Sequence, residues 1–330
     1  MRLYAAADGA VLSVSGSPDS PTARRRLEDR RLECIAADAR TPERAFCGTF
    51  DRGLFRTADG GDTWHPVGRD VLLESVTSLA VSPHDPEVVY AGTEPSAVFR
   101  STDGGETWTE LPPLTDLPSA SSWAFPPRPH THHARWIEVD PCDPTRLFIA
   151  IEAGALVTSS DGGETWQDRV PSSKRDVHSM ATHMDRPGRV WVAAGDGYAE
   201  SDDGGETWHT PTDGLRHSYC WSVAVDPGDP ESVLLTSARG PRRAHSIGSA
   251  EAYLYRRRGE RPWTRLDDTG LPTGSGTTRA VLDTGATAGE CYAVNDRGIY
   301  RTTDFGDSWA RLEVPWHGER TTTAGLAVVE

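Results

Sequence analysis

Residues 101–108 read Ser-Thr-Asp-Gly-Gly-Glu-Thr-Trp, and variants of this stretch recur along the chain. The pattern Ser/Thr-x-Asp-x-Gly-x-Thr/Ser-Trp occurs five times, at residues 57–64, 101–108, 159–166, 201–208 and 302–309. Its aspartates, Asp59, Asp103, Asp161, Asp203 and Asp304, are 44, 58, 42 and 101 residues apart. The last interval is about two periods, and residues 256–263 occupy the place of a decayed copy. Fixed periods of this length are typical of propellers and solenoids.

Each copy has the composition of a tight turn between two strands. The aspartate can accept backbone N–H bonds, a glycine can adopt positive φ, and the tryptophan can pack beneath the turn. We therefore predict that the five aspartates are structural.

Two further strand patterns precede each copy. In the second repeat they are residues 76–81 and 88–92, separated by a Ser-Pro-His-Asp-Pro turn. Four short antiparallel strands per unit predict an all-β propeller. The predicted blades are residues 31–68, 75–112, 133–170, 177–212, 219–267, 278–313, and 323–330 together with 2–28. We expect one propeller domain over residues 1–330, with seven blades and the two termini sharing the last blade; six blades are the alternative.

The repeats resemble Asp-box (BNR) repeats, and the chain resembles Asp-box β-propellers of the sialidase-like, BNR-repeat glycosyl hydrolase-like superfamily. The resemblance implies that the boxes lie at the outer edge, away from the central funnel. A true sialidase is not expected, because no Arg-Ile-Pro motif occurs near the N-terminus and sialidases have six blades. Related Asp-box propellers include two-propeller xyloglucan-cleaving enzymes and proteins that assist photosystem assembly.

Composition excludes several classes of partner. The 330 residues carry a formal charge of −15, which argues against nucleic acid or an anionic membrane as the main partner. Mean hydropathy is −0.52, and no apolar run approaches the ~18 residues of a membrane span. Five scattered cysteines without a CxxC pair and an N-terminus without an apolar signal segment predict a cytoplasmic protein.

The predicted functional face is formed by loops that lead into innermost strands and loops that join second to third strands. Aligning the blades gives the residue that begins each innermost strand, and blades 3 to 5 carry large side chains there. Two insertions, 111–128 and 240–250, project from the same face and predict a walled pocket. The predicted catalytic residues are Glu152, His178 and His217. The predicted ligand-binding residues are Arg135, Arg175, Arg239, Asp196, Tyr219 and Trp221.

A histidine-rich loop is the sharpest local signal. His130, His132 and His133 could converge on a zinc-like divalent metal, with Glu152, His178 or His217 completing the site. Two alternatives are a metal-free loop that contacts a ligand and a purely structural loop.

Two functions remain open from the sequence. The first is a hydrolase or lyase, with or without a bound metal, acting on a glycan or small polar metabolite. The second is a non-catalytic binding or assembly scaffold with a protein partner.

Overall fold

The computed structural model describes residues 1–7, 9–316 and 322–329. Asp8 and Glu330, which fall within the predicted closing blade, lie outside the described residues. The strands, in chain order, are β1 (Arg2–Ala7), β2 (Ala10–Ser17), β3 (Ser20–Arg26), β4 (Leu32–Ala37), β5 (Ala45–Thr49), β6 (Leu54–Thr57), β7 (His65–Val67), β8 (Val76–Val81), β9 (Val89–Thr93), β10 (Val98–Ser101), β11 (Thr109–Glu110), β12 (Ala134–Val139), β13 (Leu147–Ile151), β14 (Ala155–Ser159), β15 (Val177–Thr182), β16 (Val190–Ala194), β17 (Gly197–Ser201), β18 (Tyr219–Asp226), β19 (Asp229–Ala238), β20 (Glu251–Arg258), β21 (Thr264–Leu266), β22 (Gly274–Ser275), β23 (Val281–Asp283), β24 (Cys291–Asn295), β25 (Gly298–Thr302), β26 (Ala310–Arg311) and β27 (Gly325–Val329).

These strands form seven antiparallel sheets, which confirms the all-β fold and the seven-bladed prediction. Blades 1 to 6 begin with β4, β8, β12, β15, β18 and β23. Blade 7 has the order β27-β1-β2-β3, so the two ends of the chain close the ring by pairing β27 with β1. In blades 3 and 4 the fourth strand is reduced to single bridges, Thr158 with Gln167 and Glu200 with His209. Closure between first and last blades removes the open edge at which another chain could pair.

Successive innermost strands contact one another around the ring, from β27 through β4, β8, β12, β15, β18 and β23 back to β27. The apolar cores lie between neighbouring blades. One such core joins Phe148 of blade 3 to Met180 and Trp208 of blade 4. The rigid ring therefore positions the loops of the predicted functional face, which is called the top face below. These loops carry the candidate site.

Helical structure is short and lies in the two insertions. The segments are α1 (Pro241–His245) and the 3-10 turns Leu114–Asp116, Ala120–Ser122 and Ile247–Ser249. None of the helices in the described ranges has the length and apolar character needed to cross a membrane.

The Asp boxes form the turns that the sequence predicts. Asp103 Oδ1 accepts from Thr107 N at 2.9 Å and from Ser101 Oγ at 2.8 Å, and its Oδ2 accepts from Thr107 Oγ1 at 2.6 Å. Gly105 has φ 86°, which favours glycine. The Trp108 ring nitrogen donates to the Gly105 carbonyl at 3.1 Å. Hydrogen bonds led by the Thr107 hydroxyl lower the pKa of Asp103 to about 2.

The other four boxes have the same aspartate bonds, centred on Asp59, Asp161, Asp203 and Asp304.

Candidate functional site in the top-face funnel

A β-bulge aims one residue of the innermost strand toward the axis in blades 1 to 5. Pairing with the second strand skips one position in each of these strands. The skipped residues are Glu33, Thr77, Arg135, His178 and Trp221. Bulges turn a side chain out of the regular alternation, so this repeated irregularity brings polar groups into the channel.

The top-face funnel is a cavity of about 500 Å³ at this end of the channel. Its walls come from blades 1 and 3 to 7, from the first insertion through Phe125 and Arg128, and from the second insertion through His245. Glu152, Asp176, Arg135, Tyr219, Trp221 and Arg279 also line it. The two insertions therefore wall the pocket, as their positions in the sequence predict.

Glu152 lies at the centre of the charged groups in the funnel. It follows β13, and only 11% of its side chain is exposed. Its Oε2 accepts from His133 Nε2 at 2.8 Å and lies 3.6 Å from Arg135 Nε. Burial opposes ionisation, but the His133 hydrogen bond and the charges of His178, His133 and Arg135 lower the pKa of Glu152 to about 2. Glu152 is therefore an ionised carboxylate.

Asp176 is the second carboxyl group of the funnel. It precedes β15, and its Oδ1 accepts from the Ala153 backbone N–H at 3.0 Å. Burial and the nearby charge of Glu152 raise the pKa of Asp176 to about 6. A Cβ at Gly195 would collide with Asp176 Oδ2, so the small residue there leaves space for the carboxyl group. The pKa values of these two neighbouring carboxyl groups therefore differ widely.

His178 faces both carboxyl groups. Its Nδ1 donates to the Cys220 carbonyl at 2.7 Å, which leaves Nε2 as an acceptor. Nε2 lies 3.7 Å from Glu152 Oε1 and 3.8 Å from Asp176 Oδ2. Burial lowers the pKa of His178 to about 4, against the opposing effect of Glu152. His178 is therefore a neutral imidazole at pH 7.

A directed chain of hydrogen bonds runs from Arg279 to His178. Arg279 Nε donates to His245 Nδ1 at 3.2 Å, so the remaining proton of neutral His245 is on Nε2. His245 Nε2 donates to the Tyr219 hydroxyl at 3.1 Å, and that hydroxyl can donate over 3.5 Å to His178 Nε2. Burial and the Arg279 charge lower the pKa of His245 to about 2. Burial therefore keeps both imidazoles neutral, and the chain fixes the tautomer of His245.

Two guanidinium groups contact Trp221. Arg279 lies 3.5 Å and Arg135 lies 4.9 Å from the ring centroid. Arg279 donates to the Thr323 carbonyl at 3.0 Å, and among the described residues it forms no ion pair. Burial and the Arg135 charge lower the pKa of Arg279, but guanidinium stays protonated at neutral pH. A bound anion would compensate this buried charge.

Several predicted residues lie outside this cluster. His130 is exposed, and His132 bonds the Ser96 hydroxyl at 2.9 Å and packs against Trp123. Because only His133 reaches the funnel, the three histidines do not form one ligand set. Exposed Arg175 contributes its backbone N–H to Asp196 Oδ2 at 3.2 Å, a bond that caps the loop before Asp176.

His217 and Arg239 line a separate cavity of about 440 Å³ on blade 5. Its lining residues are Arg216, His217, Ser218, Arg239, Tyr253 and Arg265, and this cavity is the basic pocket. Of the nine residues predicted to be catalytic or ligand-binding, the funnel therefore brings together Glu152, His178, Arg135, Tyr219 and Trp221.

Asp176, His245 and Arg279 are the site residues that the sequence prediction missed. Asp176 lies one position after Arg175, which the sequence analysis predicted to bind a ligand. His245 lies inside the second insertion, whose conformation follows no repeat. The alignment of the repeats could have identified Asp176 as the residue that precedes the innermost strand of blade 4. Nothing in the sequence marks His245.

One group in the described part of the chain has metal-ligand spacing. Ligand atoms of Glu152, Asp176 and His178 lie within 4.8 Å of one another. Two carboxylates and an imidazole form a donor set that suits a zinc-like ion.

Comparisons with known proteins agree with the architecture. A family model described as the BNR/Asp-box repeat matches residues 99–110 and 199–210. No curated protein gives a significant match.

Solved structures with the same fold include glycoside hydrolases and a peptide-bound protein. An ancestral GH74 enzyme matches with TM-score 0.66 and 16% identity over 96% of this chain and 40% of that chain. The GH74 enzyme of Niastella koreensis matches with TM-score 0.65 and 17% identity over 92% and 52%. YCF48 bound to D1 peptide matches with TM-score 0.58 and 16% identity over 86% and 82%.

At these identities the likeness shows the fold alone. The chain spans about half or less of the two GH74 chains. The repeats, the seven sheets and the matched family model together identify this chain as an Asp-box, or BNR-repeat, β-propeller.

Proposed function

We propose that this propeller is an acid–base enzyme of the hydrolase or lyase type, acting on a glycan or small polar metabolite in the top-face funnel. The observation that carries the proposal is the split between two adjacent carboxyl groups. The pKa of Glu152 is lowered to about 2, whereas that of Asp176 is raised to about 6. Environments that separate two such pKa values assign one group as base and the other as acid.

The roles follow from protonation and access. Asp176, with 30% of its side chain exposed, would donate a proton to the leaving group, and Glu152 would act as base or nucleophile. In a glycan substrate, carboxyl oxygens within 4.8 Å fit the ~5 Å spacing of retaining glycosidases better than the ~6.5–9.5 Å of inverting ones. Arg135 and Arg279 would hold an anionic substituent of the substrate.

The test is a panel of 4-nitrophenyl glycosides and glycuronides, followed by a pH profile on any substrate turned over. Because the acid must be protonated, kcat/KM is expected to fall as pH rises through about 6. Asp176→Asn should remove that limb and reduce kcat/KM by roughly 100-fold. A profile unchanged in Asp176→Asn would reject Asp176 as the acid.

The predicted divalent metal would bind at the group formed by Glu152, Asp176 and His178, in place of the histidine-rich loop. A bound divalent ion would supply an activated water there, and the three side chains would hold it. Elemental analysis of untagged protein, with His178→Ala for comparison, provides the test. Near-stoichiometric metal in the wild type and none in the variant would support this assignment, whereas no metal in either would oppose it.

A binding or assembly role is the second candidate, and the buried Arg279 guanidinium, which forms no ion pair among the described residues, favours it. A solved structure with the same fold, YCF48, is bound to D1 peptide. A terminal carboxylate of a peptide could occupy the space beside Arg135 and Arg279. Screening a peptide array with wild type and an Arg135→Gln/Arg279→Gln variant tests this role, because specific peptides should be lost in the variant.

A further inference from the structure

The basic pocket concentrates positive charge in an acidic protein. The chain carries 49 acidic residues and a net charge of −15, yet none of the six side chains that line this pocket is acidic. Three of them are arginines: Arg216, Arg239 and Arg265. A pocket lined by one sign of charge focuses the electric field and raises the local concentration of anions.

Charge compensation within the pocket is incomplete. Arg265 pairs with Asp267, with nitrogen to oxygen distances of 2.8 and 2.7 Å. Within the described ranges, Arg216 and Arg239 form no ion pair. Both arginines are exposed, and Arg239 interacts electrostatically with Glu251, so water and this acid offset part of the charge while the two guanidinium groups stay accessible to a bound anion.

Aromatic side chains give the pocket a packed base. His217 is buried, stacks on Tyr253 at 4.4 Å with a 12° interplanar angle, and bonds the Tyr255 hydroxyl at 2.5 Å. The Tyr253 hydroxyl donates to Glu251 at 2.8 Å. Arg265 lies over the Tyr253 ring, 4.8 Å from its centroid. These contacts hold the base of the pocket in one arrangement before any ligand binds.

We infer that the basic pocket binds a tetrahedral oxyanion, the phosphate or sulfate group of a ligand. Two unpaired guanidinium groups match the charge of a dianion, and each can donate two parallel N–H bonds to its oxygens. A carboxylate would neutralise only one of them. No lining residue is shared with the top-face funnel, so this site does not depend on the proposed acid–base function.

Isothermal titration of the full chain with sodium phosphate, sulfate and acetate, at low and constant ionic strength, tests the inference. Phosphate and sulfate should bind at least ~10-fold more tightly than acetate. Arg216→Gln/Arg239→Gln should weaken phosphate binding by ~10-fold or more. The matched control is Arg52→Gln/Arg69→Gln, which removes the same charge from exposed arginines elsewhere and should change affinity less than ~2-fold.

Three results would overturn the inference: no phosphate binding, equal binding of acetate and phosphate, or equal weakening in the control and pocket variants. Titration with glucose 6-phosphate and glucose 6-sulfate then distinguishes the two sources of the anion. Glu152→Gln, a change in the funnel, should leave phosphate binding intact. This variant therefore distinguishes failure of the proposed acid–base function from failure of the proposed anion site.

Discussion

Asp-box carboxylates and funnel carboxyl groups are the same chemical group in two opposite environments. Asp103 is satisfied by residues within four positions of itself, and its pKa is lowered to about 2. The pKa of Glu152 is also lowered to about 2, but its partners are far from it in the sequence: His133 and Arg135 lie at the start of blade 3, and His178 comes from blade 4. The pKa of Asp176, a short distance away, is raised to about 6.

The difference teaches how to separate structure from function in a repeat protein. A carboxylate whose bonds all lie inside one turn stabilises that turn and repeats with the sequence. A carboxyl group whose pKa depends on groups from several blades occurs once, because only one place in the ring combines them. Strongly perturbed groups in a cavity are functional-site candidates for this reason.

The largest effect is expected from Glu152→Gln. The amide keeps an acceptor for His133 but cannot be ionised, so kcat/KM on a substrate found in the glycoside panel should fall by ~100-fold or more. Glu164→Gln, which neutralises an exposed acid on the Asp box of the same blade, is the control and should match wild type. Wild-type turnover in Glu152→Gln would place the chemistry elsewhere.

A smaller loss is expected from Tyr219→Phe. The change removes the hydroxyl that links His245 to His178 but keeps the ring beside Trp221. We expect roughly 10-fold lower kcat/KM, since the funnel is intact but His178 loses its positioned partner. Nitrogen chemical shifts of the His178 ring should change as well. Unchanged shifts together with unchanged turnover would remove the hydrogen-bond chain from the mechanism.

Asp203→Ala should affect stability and not activity. The change removes the bonds from Ser201 and Thr207 at the outer edge, at a cost on the order of 1 kcal/mol, as for other capping side chains. The folded pKa of Asp203 is about 2, so its stabilising contribution is present above the unfolded value near 4 and disappears as pH falls through about 2.

Thermal unfolding at pH 7 and pH 2 measures this contribution to stability. The neighbouring Asp202→Ala, in which an exposed acid is removed, should have a smaller effect at pH 7. Equal losses in the two variants would show that the box adds nothing beyond its charge.

The smallest effect is expected from Glu138→Gln, at the opposite end of the channel. Glu138 lines a cavity of about 560 Å³ and accepts from Trp136 and Thr182. Burial raises its pKa to about 7, and within the described residues Glu138 forms no ion pair like that of Glu152 with Arg135. The folded state then binds this proton more tightly than the unfolded chain, so stability rises as pH falls from 7 toward 4.5.

Glu138→Gln should raise the unfolding free energy at pH 8 by on the order of 1 kcal/mol and have little effect at pH 5. Denaturant unfolding at both pH values tests this. A destabilised variant at pH 8 would mean that the carboxylate, like Glu152, has a compensating partner.

The repeat motif was sufficient to predict the turns and to favour seven blades. The hydrogen bonds of each box aspartate join residues at most four positions apart, so the spacing of the motif in the sequence defines the geometry of the turn. The bulged positions Arg135, His178 and Trp221 were also predictable, because each begins an innermost strand at the same place in the repeat. The His130, His132 and His133 cluster illustrates the limit, since adjacency along an extended loop did not bring its side chains together.

By itself, the sequence determined the all-β propeller, favoured seven blades closed by the termini over six, and predicted the face on which polar side chains gather, because these depend on local turns and alternating strands. Only the tertiary structure decided which of those side chains meet. Arg279, His245 and Tyr219 come from blades 6 and 5, and their bond chain depends on the path of an insertion that follows no repeat. The separation of His217 into the basic pocket was decided in the same way, by its stacking on Tyr253 and its hydrogen bond with Tyr255.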